Sequence, residues 1–481
     1  MTISRRSFLT ASAGLALLPA FATRARATLP REVDVVVVGA GAAGIAAARR
    51  IVAAGRKVLV VEAAAQPGGR CITDTDSFAA PFDRGARFLH NPDSNPIAKQ
   101  ARSVGIDIVP APPGQKIRIG RRNARARETE DYLATLVRAS RAIDEAARGR
   151  VDVACAAALP KDLGDWGPTI DFVLGPSASG TDLKDLSAMD ESRSPDRNVL
   201  AGARQGLGTL LARLAAPLPL VTSTPVSRIV WSGRDTGVET ASGRIAAKTV
   251  ILTVSTNVLS SGAIKFSPDL PKRQLDAAAK LGLGSSDRIA LQFKGNPLGL
   301  PRDDLLIEQS SGPRTAALYA NINGSSLCTV DVAGSFGREL SAQGDAAMQA
   351  FALEWLGQLF GSEISKSVER QAVTRWNANP YVLGAMSAAA PGAQPMRKVL
   401  GEPLGNLLIA GEATSEDLWG TVQGAWDSGE RAADAALKRL GPAKEPEPDK
   451  PARKQPKPRR ERQPQRERPP ATASGVPSWW R

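Results

Sequence analysis

Histidine, cysteine and tyrosine are scarce in this chain. Its 481 residues include one His, three Cys and three Tyr. Cys71, Cys155 and Cys328 show no Cys-x-x-Cys spacing, which excludes a disulfide framework and a zinc site, so no metal is expected. An odd number of thiols leaves at least one free. Long apolar runs are also lacking. The longest, at 11–22, is about half the ~20 residues that span a bilayer, and nothing after it is longer, so no membrane span is expected beyond the N-terminal segment. The formal charge of +14 suggests nucleic-acid binding until it is located. Four of those charges belong to residues 1–27 and six to residues 442–481, leaving four for the 414 residues between. Such a body has no basic groove, and no nucleic-acid partner is expected.

The N-terminus itself is informative. Arg5 and Arg6 stand in Ser-Arg-Arg-Ser-Phe-Leu-Thr, ahead of the apolar run and of Ala25-Arg26-Ala27, a small-x-small cleavage site. This reads as a removable twin-arginine export peptide over 1–27. It implies the twin-arginine translocase as a partner and a periplasmic or secreted destination. That route carries folded proteins, so a cofactor must already be in place. At the other end, 442–481 holds ten prolines among Lys, Arg, Glu and Gln, with no apolar face to bury. It reads as a disordered tail. Its basic residues and terminal Trp pair leave open a contact with an anionic surface.

Between these ends the chain alternates strand and helix signals. Residues 33–38 (VDVVVV) and 58–61 (VLVV) read as strands buried on both faces of a parallel sheet. An Ala-rich helix fills 42–54. Gly39-x-Gly41-x-x-Gly44 lies at the first strand-to-helix turn, and Glu62 ends the second strand. Gly39 makes the tight turn, Gly41 lets a pyrophosphate approach the backbone, and Gly44 lets helix and strand pack. The helix N-terminus then faces the phosphates, and Glu62 accepts hydrogen bonds from a ribose. Further strands are expected near 226–231, 238–239, 249–253 and 406–410, and helices over 130–148, 345–360 and about 421–440.

Just after Glu62 come Gly68-Gly69-Arg70, a second close backbone approach with a guanidinium able to fork onto a pyrophosphate. From here the sequence resembles the flavin-containing amine oxidase family. FDRGARFLHNPDSNP resembles the family's Gly-Ala-x-Trp-Ile-His segment. TPVSRI resembles the strand whose Val backbone meets the adenine, and LLIAGEATSEDLWGTVQGAWDSGERAA resembles the C-terminal flavin segment. The resemblance implies an α/β fold: a Rossmann-like FAD domain from 28–90, 195–285 and 395–441, with a mixed α+β substrate domain from 91–194 and 286–394. It also implies FAD, held by Gly69, Arg70, Gly85, Ala86, Arg87, Val226, Gly411, Glu412, Thr421 and Val422 beside the first-motif residues.

The resemblance breaks where the chemistry is done. Arg288 falls where much of the family has a Lys bonded through water to the flavin. Arg cannot act as a base, so it either holds a water or the flavin, or forms a salt bridge. Met386 and Thr421 replace the two aromatic residues that sandwich the amine. Ala385 stands where monoamine oxidases attach flavin through Cys, so non-covalent FAD is expected. Trp376 either walls the flavin or packs the core, and His90 either relays protons or makes a structural hydrogen bond. Arg87 is a flavin-side residue and a weaker carboxylate candidate. The implied activity is oxidation of an amine or amino acid to an imine, with O₂ as acceptor giving H₂O₂. A non-amine dehydrogenation with a quinone or protein acceptor, and a non-catalytic flavin-bearing accessory role, both stay open.

Overall fold

Valine and isoleucine build the centre of the molecule because branched side chains pack well on a pleated, doubly covered surface. The first strand, β1 (Glu32–Val38), runs parallel to β2 (Val58–Val61) and to the long strand Gly243–Leu252. Val35, Val36 and Val37 are fully buried. The computed structural model describes residues 29–112, 115–194, 197 and 199–442. The export segment and nearly all of the basic tail lie outside the described residues.

Eight strands form the first sheet, which Leu407–Ile409 joins by pairing with the long strand. Helix α1 (Ala42–Ala53) crosses from β1 to β2, and helix Val422–Leu440 packs along it. That crossing is tight because it is built from small residues. A Cβ on Gly429 would stand 2.0 Å from the Ala43 carbonyl oxygen.

A second sheet has seven strands, from Val368–Val373 at one edge to Arg122–Asn123 at the other. It draws on residues 116–123 and 286–373, with strand Ser286–Phe293 paired on both sides. Helix Asp345–Phe360 covers it. Met348, Phe351, Ala352, Trp355, Leu356 and Leu359 fall at helical spacing on its buried face. Helix Ala126–Ala146 runs longer than the 130–148 expected, starting four residues earlier. A three-stranded sheet, Phe88–His90 with Leu200–Ala203 and Ile108–Pro110, joins the loop after Asp83 to the rest of the fold. These sheets and a two-stranded pair, Thr73–Asp74 with Phe82–Asp83, lie in one unit ending at Gly441. The three cysteines are buried and free.

Candidate active site

The turn after β1 is dictated by glycine. Gly39 has φ +104°, a left-handed conformation that other residues rarely adopt. A Cβ on Gly44 would lie 1.9 Å from the Gly39 carbonyl oxygen, so no side chain fits where helix meets turn. Gly41 caps α1 without any side-chain hydrogen bond, which leaves the first-turn amides facing outward. Gly41 bridges to Gly68, and a Cβ on Gly69 would come 3.1 Å from the Gly41 Cα. Two backbone segments are thereby pressed together under one open cleft. Glu62 closes this end, accepting from the amides of Ala40 (2.6 Å) and Ala64 (2.8 Å). Burial raises its carboxyl above the ordinary range despite those amides.

The opposite wall comes from the C-terminal segment. Gly411 has φ +148°, and a Cβ added there would meet nothing within 4 Å, because it would stand in the cleft. Thr421 caps helix Val422–Leu440. Its hydroxyl accepts from the Gly424 amide (2.9 Å) and donates to the Leu418 carbonyl (2.7 Å). The helix N-terminus, with its positive dipole end, therefore faces the same space as α1.

Glu412 is the electrostatic hinge of this wall. It accepts from Arg70 (2.8 Å), from the Ser387 amide and hydroxyl (3.1 and 2.6 Å) and from the Gly420 amide (2.8 Å). Burial would raise its carboxyl, but Arg70, Ser387 and Arg397 outweigh that and hold it below the ordinary range. Ser387 in turn accepts from Arg397 (3.0 Å). Arg397 forks onto both oxygens of Asp190 (2.7 and 2.6 Å), and neither side chain reaches solvent. An unbroken polar chain thus runs from the cleft through Arg70, Glu412, Ser387 and Arg397 to Asp190. Sequence reading missed its inner half. Arg397 sits beside Lys398 in a short charged stretch, so nothing local marked it as a buried residue.

The cleft holds about 1520 Å³ of empty space, counted to its open mouth. Of the expected cofactor residues, Gly39, Gly41, Glu62, Gly69, Arg70, Ala86, Val226, Gly411, Glu412, Thr421 and Val422 line it. Ser255, Val258, Ile264, Asn379 and Tyr381 line it as well and were not anticipated. Gly44 is beneath the turn rather than on the surface of the cleft.

The remaining expected residues sit behind or beside this wall. Gly85 is wedged against the Arg70 carbonyl and the ring of Trp376. The Trp376 indole donates to the Arg84 carbonyl (2.9 Å), which places the ring under the loop 84–86. Arg288 donates to the carbonyls of Asp83 (2.6 Å) and Gly85 and lies 3.3 Å from Asp331. The salt bridge expected as one of its roles is formed, with Asp331, its partner on the neighbouring strand. Burial and Arg87 push the guanidinium down to about 10, so it stays protonated at neutral pH. Arg87 shares the same Asp331 oxygen (2.5 Å) and also donates to Thr329 (3.1 Å). Met386 packs against Gly420, next to Thr421. His90 lies outside the cleft lining, its Nδ1 3.3 Å from the Arg197 carbonyl. Burial lowers its pKa, which keeps the ring neutral at pH 7.

A βαβ glycine turn, a terminal acid, a second glycine pair and a facing helix N-terminus define a dinucleotide-binding oxidoreductase. Residues 42–437 match the family described as flavin containing amine oxidoreductase. The chain belongs to that family, is an FAD-dependent oxidoreductase by membership, and has a cleft that fits FAD. Lysine-specific histone demethylase 1 homolog 2 of Arabidopsis thaliana is 28% identical over 84% of this chain and 58% of its own length. Polyamine oxidase 5 of rice is 27% identical over 85% of this chain and 88% of its own. The chain thus spans little more than half of the demethylase relative. Among solved structures, cyclohexylamine oxidase from Brevibacterium oxydans superposes with a TM-score of 0.70 at 21% identity, covering 85% of this chain and 99% of that one. Wild-type putrescine oxidase bound to putrescine gives a TM-score of 0.70 at 18% identity, covering 84% and 98%.

Proposed function

We propose that the protein oxidises a C–N bond of an amine or amino acid to an imine, with O₂ as the acceptor. The observation that carries this reading is the convergence of two helix N-termini, Glu62 and the Arg70–Glu412 pair on one cleft, within a flavin amine oxidoreductase chain. FAD bound there supplies a two-electron acceptor for the hydrogen on the carbon beside nitrogen. As that C–H bond breaks, the nitrogen lone pair forms the C=N bond and the nitrogen sheds its proton to solvent. Water then adds to the C=N bond and splits it into a carbonyl and an amine. O₂ takes up two electrons and two protons as H₂O₂.

The chain's own part is to hold and orient. Gly39, Gly41 and Gly69 let the pyrophosphate reach backbone amides, Glu62 takes the ribose, and Val226 lies at the adenine end. The amides opening helix Val422–Leu440 favour negative charge on the reduced cofactor. Ala385 offers no atom for attachment, so the FAD is held non-covalently. The Thr421 hydroxyl is engaged at both ends and Met386 is aliphatic, so no aromatic pair grips the amine at these positions. That departure keeps dehydrogenation of a non-amine substrate as a second reading. The twin-arginine segment supports export of the folded holoprotein to the periplasm or beyond.

The test is anaerobic. The yellow protein is mixed in turn with polyamines, monoamines and L-amino acids while flavin absorbance is followed. Bleaching by one class, reversed on admitting air with release of H₂O₂, is expected. A flavin that dithionite bleaches but no amine does would remove the amine reading and favour the second.

A further inference from the structure

Helix Ala126–Ala146 is the longest helix among the described residues, yet only Tyr132, Ala139 and Ile143 of its 21 residues are buried. Those three share the inner face, where the Tyr132 ring stands edge-on to Trp166 at 5.3 Å. On the outer face the exposed positions 130, 133, 137, 141 and 144 recur every three or four residues and form one stripe. Leu133 and Val137 lie at its middle, 50% and 47% exposed. Arg127 and Glu130 flank them on the N-terminal side, Arg141 and Asp144 on the C-terminal side. Beside the stripe runs a trough of about 1230 Å³, counted to its mouth, with Ala134, Thr135 and Arg138 on the helix and residues 163–166 among its other lining groups.

The charges of this face differ from their neighbours on the same helix. Glu128 is held by both nitrogens of the Arg122 fork (2.7 Å each), and Arg138 donates to the Asp162 carbonyl (2.7 Å). The side chains of Arg127, Glu130, Arg141 and Asp144 make no hydrogen bond or salt bridge among the described residues. Read from the N-terminus, the order along the face is cation, anion, two apolar residues, cation, anion. Turned antiparallel about a point between Thr135 and Leu136, that order is its own complement. Glu130 and Arg141 are equally distant from the point, as are Arg127 and Asp144, so each acid meets the opposite base of a second helix. Leu133 then comes level with the partner's Val137 to within one residue's rise, about 1.5 Å. A parallel pairing would instead set each charge against its like.

We propose that this face binds a second copy of the chain, the two helices Ala126–Ala146 lying antiparallel across a two-fold axis. Such a contact uses one patch twice, which a self-complementary charge order permits. Leu133 and Val137 of each copy leave water at its centre, and two pairs of opposite charges close it on either side and fix the register. The ridge they form lies next to the trough, so a partner ridge has a groove to enter. The overlap from Arg127 to Asp144 spans about 27 Å of helix, at the small end of specific interfaces, so the dimer is weak and reversible. None of these residues lines the cofactor cleft, and the proposal stands independently of the amine-oxidation reading.

The test is analytical ultracentrifugation of the holoprotein from about 1 to 200 μM at low salt, where exposed charge pairs are least screened. A monomer–dimer equilibrium is expected. A monomer at every concentration, or an assembly that does not stop at two, would overturn the proposal. Leu133→Gln with Val137→Gln alters exposed positions only, so flavin content and melting temperature should be kept while the dissociation constant rises at least about tenfold. The charges give the sharper readout. Glu130→Arg sets cation against cation at both ends of the pair and should weaken association about threefold to thirtyfold. Adding Arg141→Glu reverses both members and should return the dissociation constant to that of the parent, which a folding defect would not do. A dimer indifferent to the apolar substitutions, or a charge reversal that the second change fails to rescue, would overturn the proposal. So would a dimer that vanishes when the chain is cut after Pro442, since the contact would then belong to the basic tail.

Discussion

Arg397 and Asp190 are the residues on which the cofactor wall depends most. Removing the guanidinium leaves Asp190 charged and fully buried, a loss on the order of 3–5 kcal/mol. Arg397→Met should therefore shift the urea midpoint sharply downward, and Arg397→Met with Asp190→Leu should recover much of the loss. Glu191, the next residue along, makes an opposite kind of prediction. Burial pushes its carboxyl up to about 7, against Arg197 and with the help of Asp190 and Asp144. The unfolded chain releases this proton near 4.5, so its contribution falls as pH rises from there to about 7, where the folded protein ionises too. Glu191→Gln should flatten that decline in denaturation curves taken between pH 4.5 and 7.5. Glu412 has the other sign. Its depressed carboxyl contributes stability above the ordinary carboxylate range and loses it as pH falls below that range. Glu62→Ala removes the acid that closes the ribose end. FAD affinity should drop about tenfold to a hundredfold in fluorescence titration of the apoprotein, the worth of hydrogen bonds to a charged group.

At the level of elements, what could be foreseen was what is encoded locally. The glycines of the first turn, the β-branched strands and the helix from about 421 each act within a few residues, and each formed where the spacing put it, whereas the Thr421 cap was not anticipated. The Arg70–Glu412 contact joins two separately recognised motifs, although nothing in either one names the other. The pairing of Arg397 with Asp190, 207 residues apart, carries no local signature. The shared hold of Arg87 and Arg288 on Asp331 is equally non-local, so Arg288 could be located in the sequence without its partner. The unaided pattern also gave no hint that strand Lys116–Ile119 joins Asp304–Glu308. Helix contacts are a sharper matter. A methyl group on Gly44 or Gly429 would strike a backbone carbonyl rather than a yielding side chain. Gly44→Ala and Gly429→Ala should each cost about 1–3 kcal/mol, read from thermal unfolding, with reduced retention of yellow colour on gel filtration.

Across the whole molecule, the compact unit ends at Gly441. A chain cut after Pro442 should keep its melting temperature within about 1 °C, and should retain flavin reduction on any small substrate the full chain turns over. Loss of that turnover would assign the last 39 residues a role in the reaction itself. The packing of α1 against helix Val422–Leu440 has a further consequence, for synthesis. Its two halves are far apart along the chain, and the cleft lies between them. A growing chain cannot complete the cleft until the second half has emerged, and a messenger truncated before codon 422 should yield a colourless product.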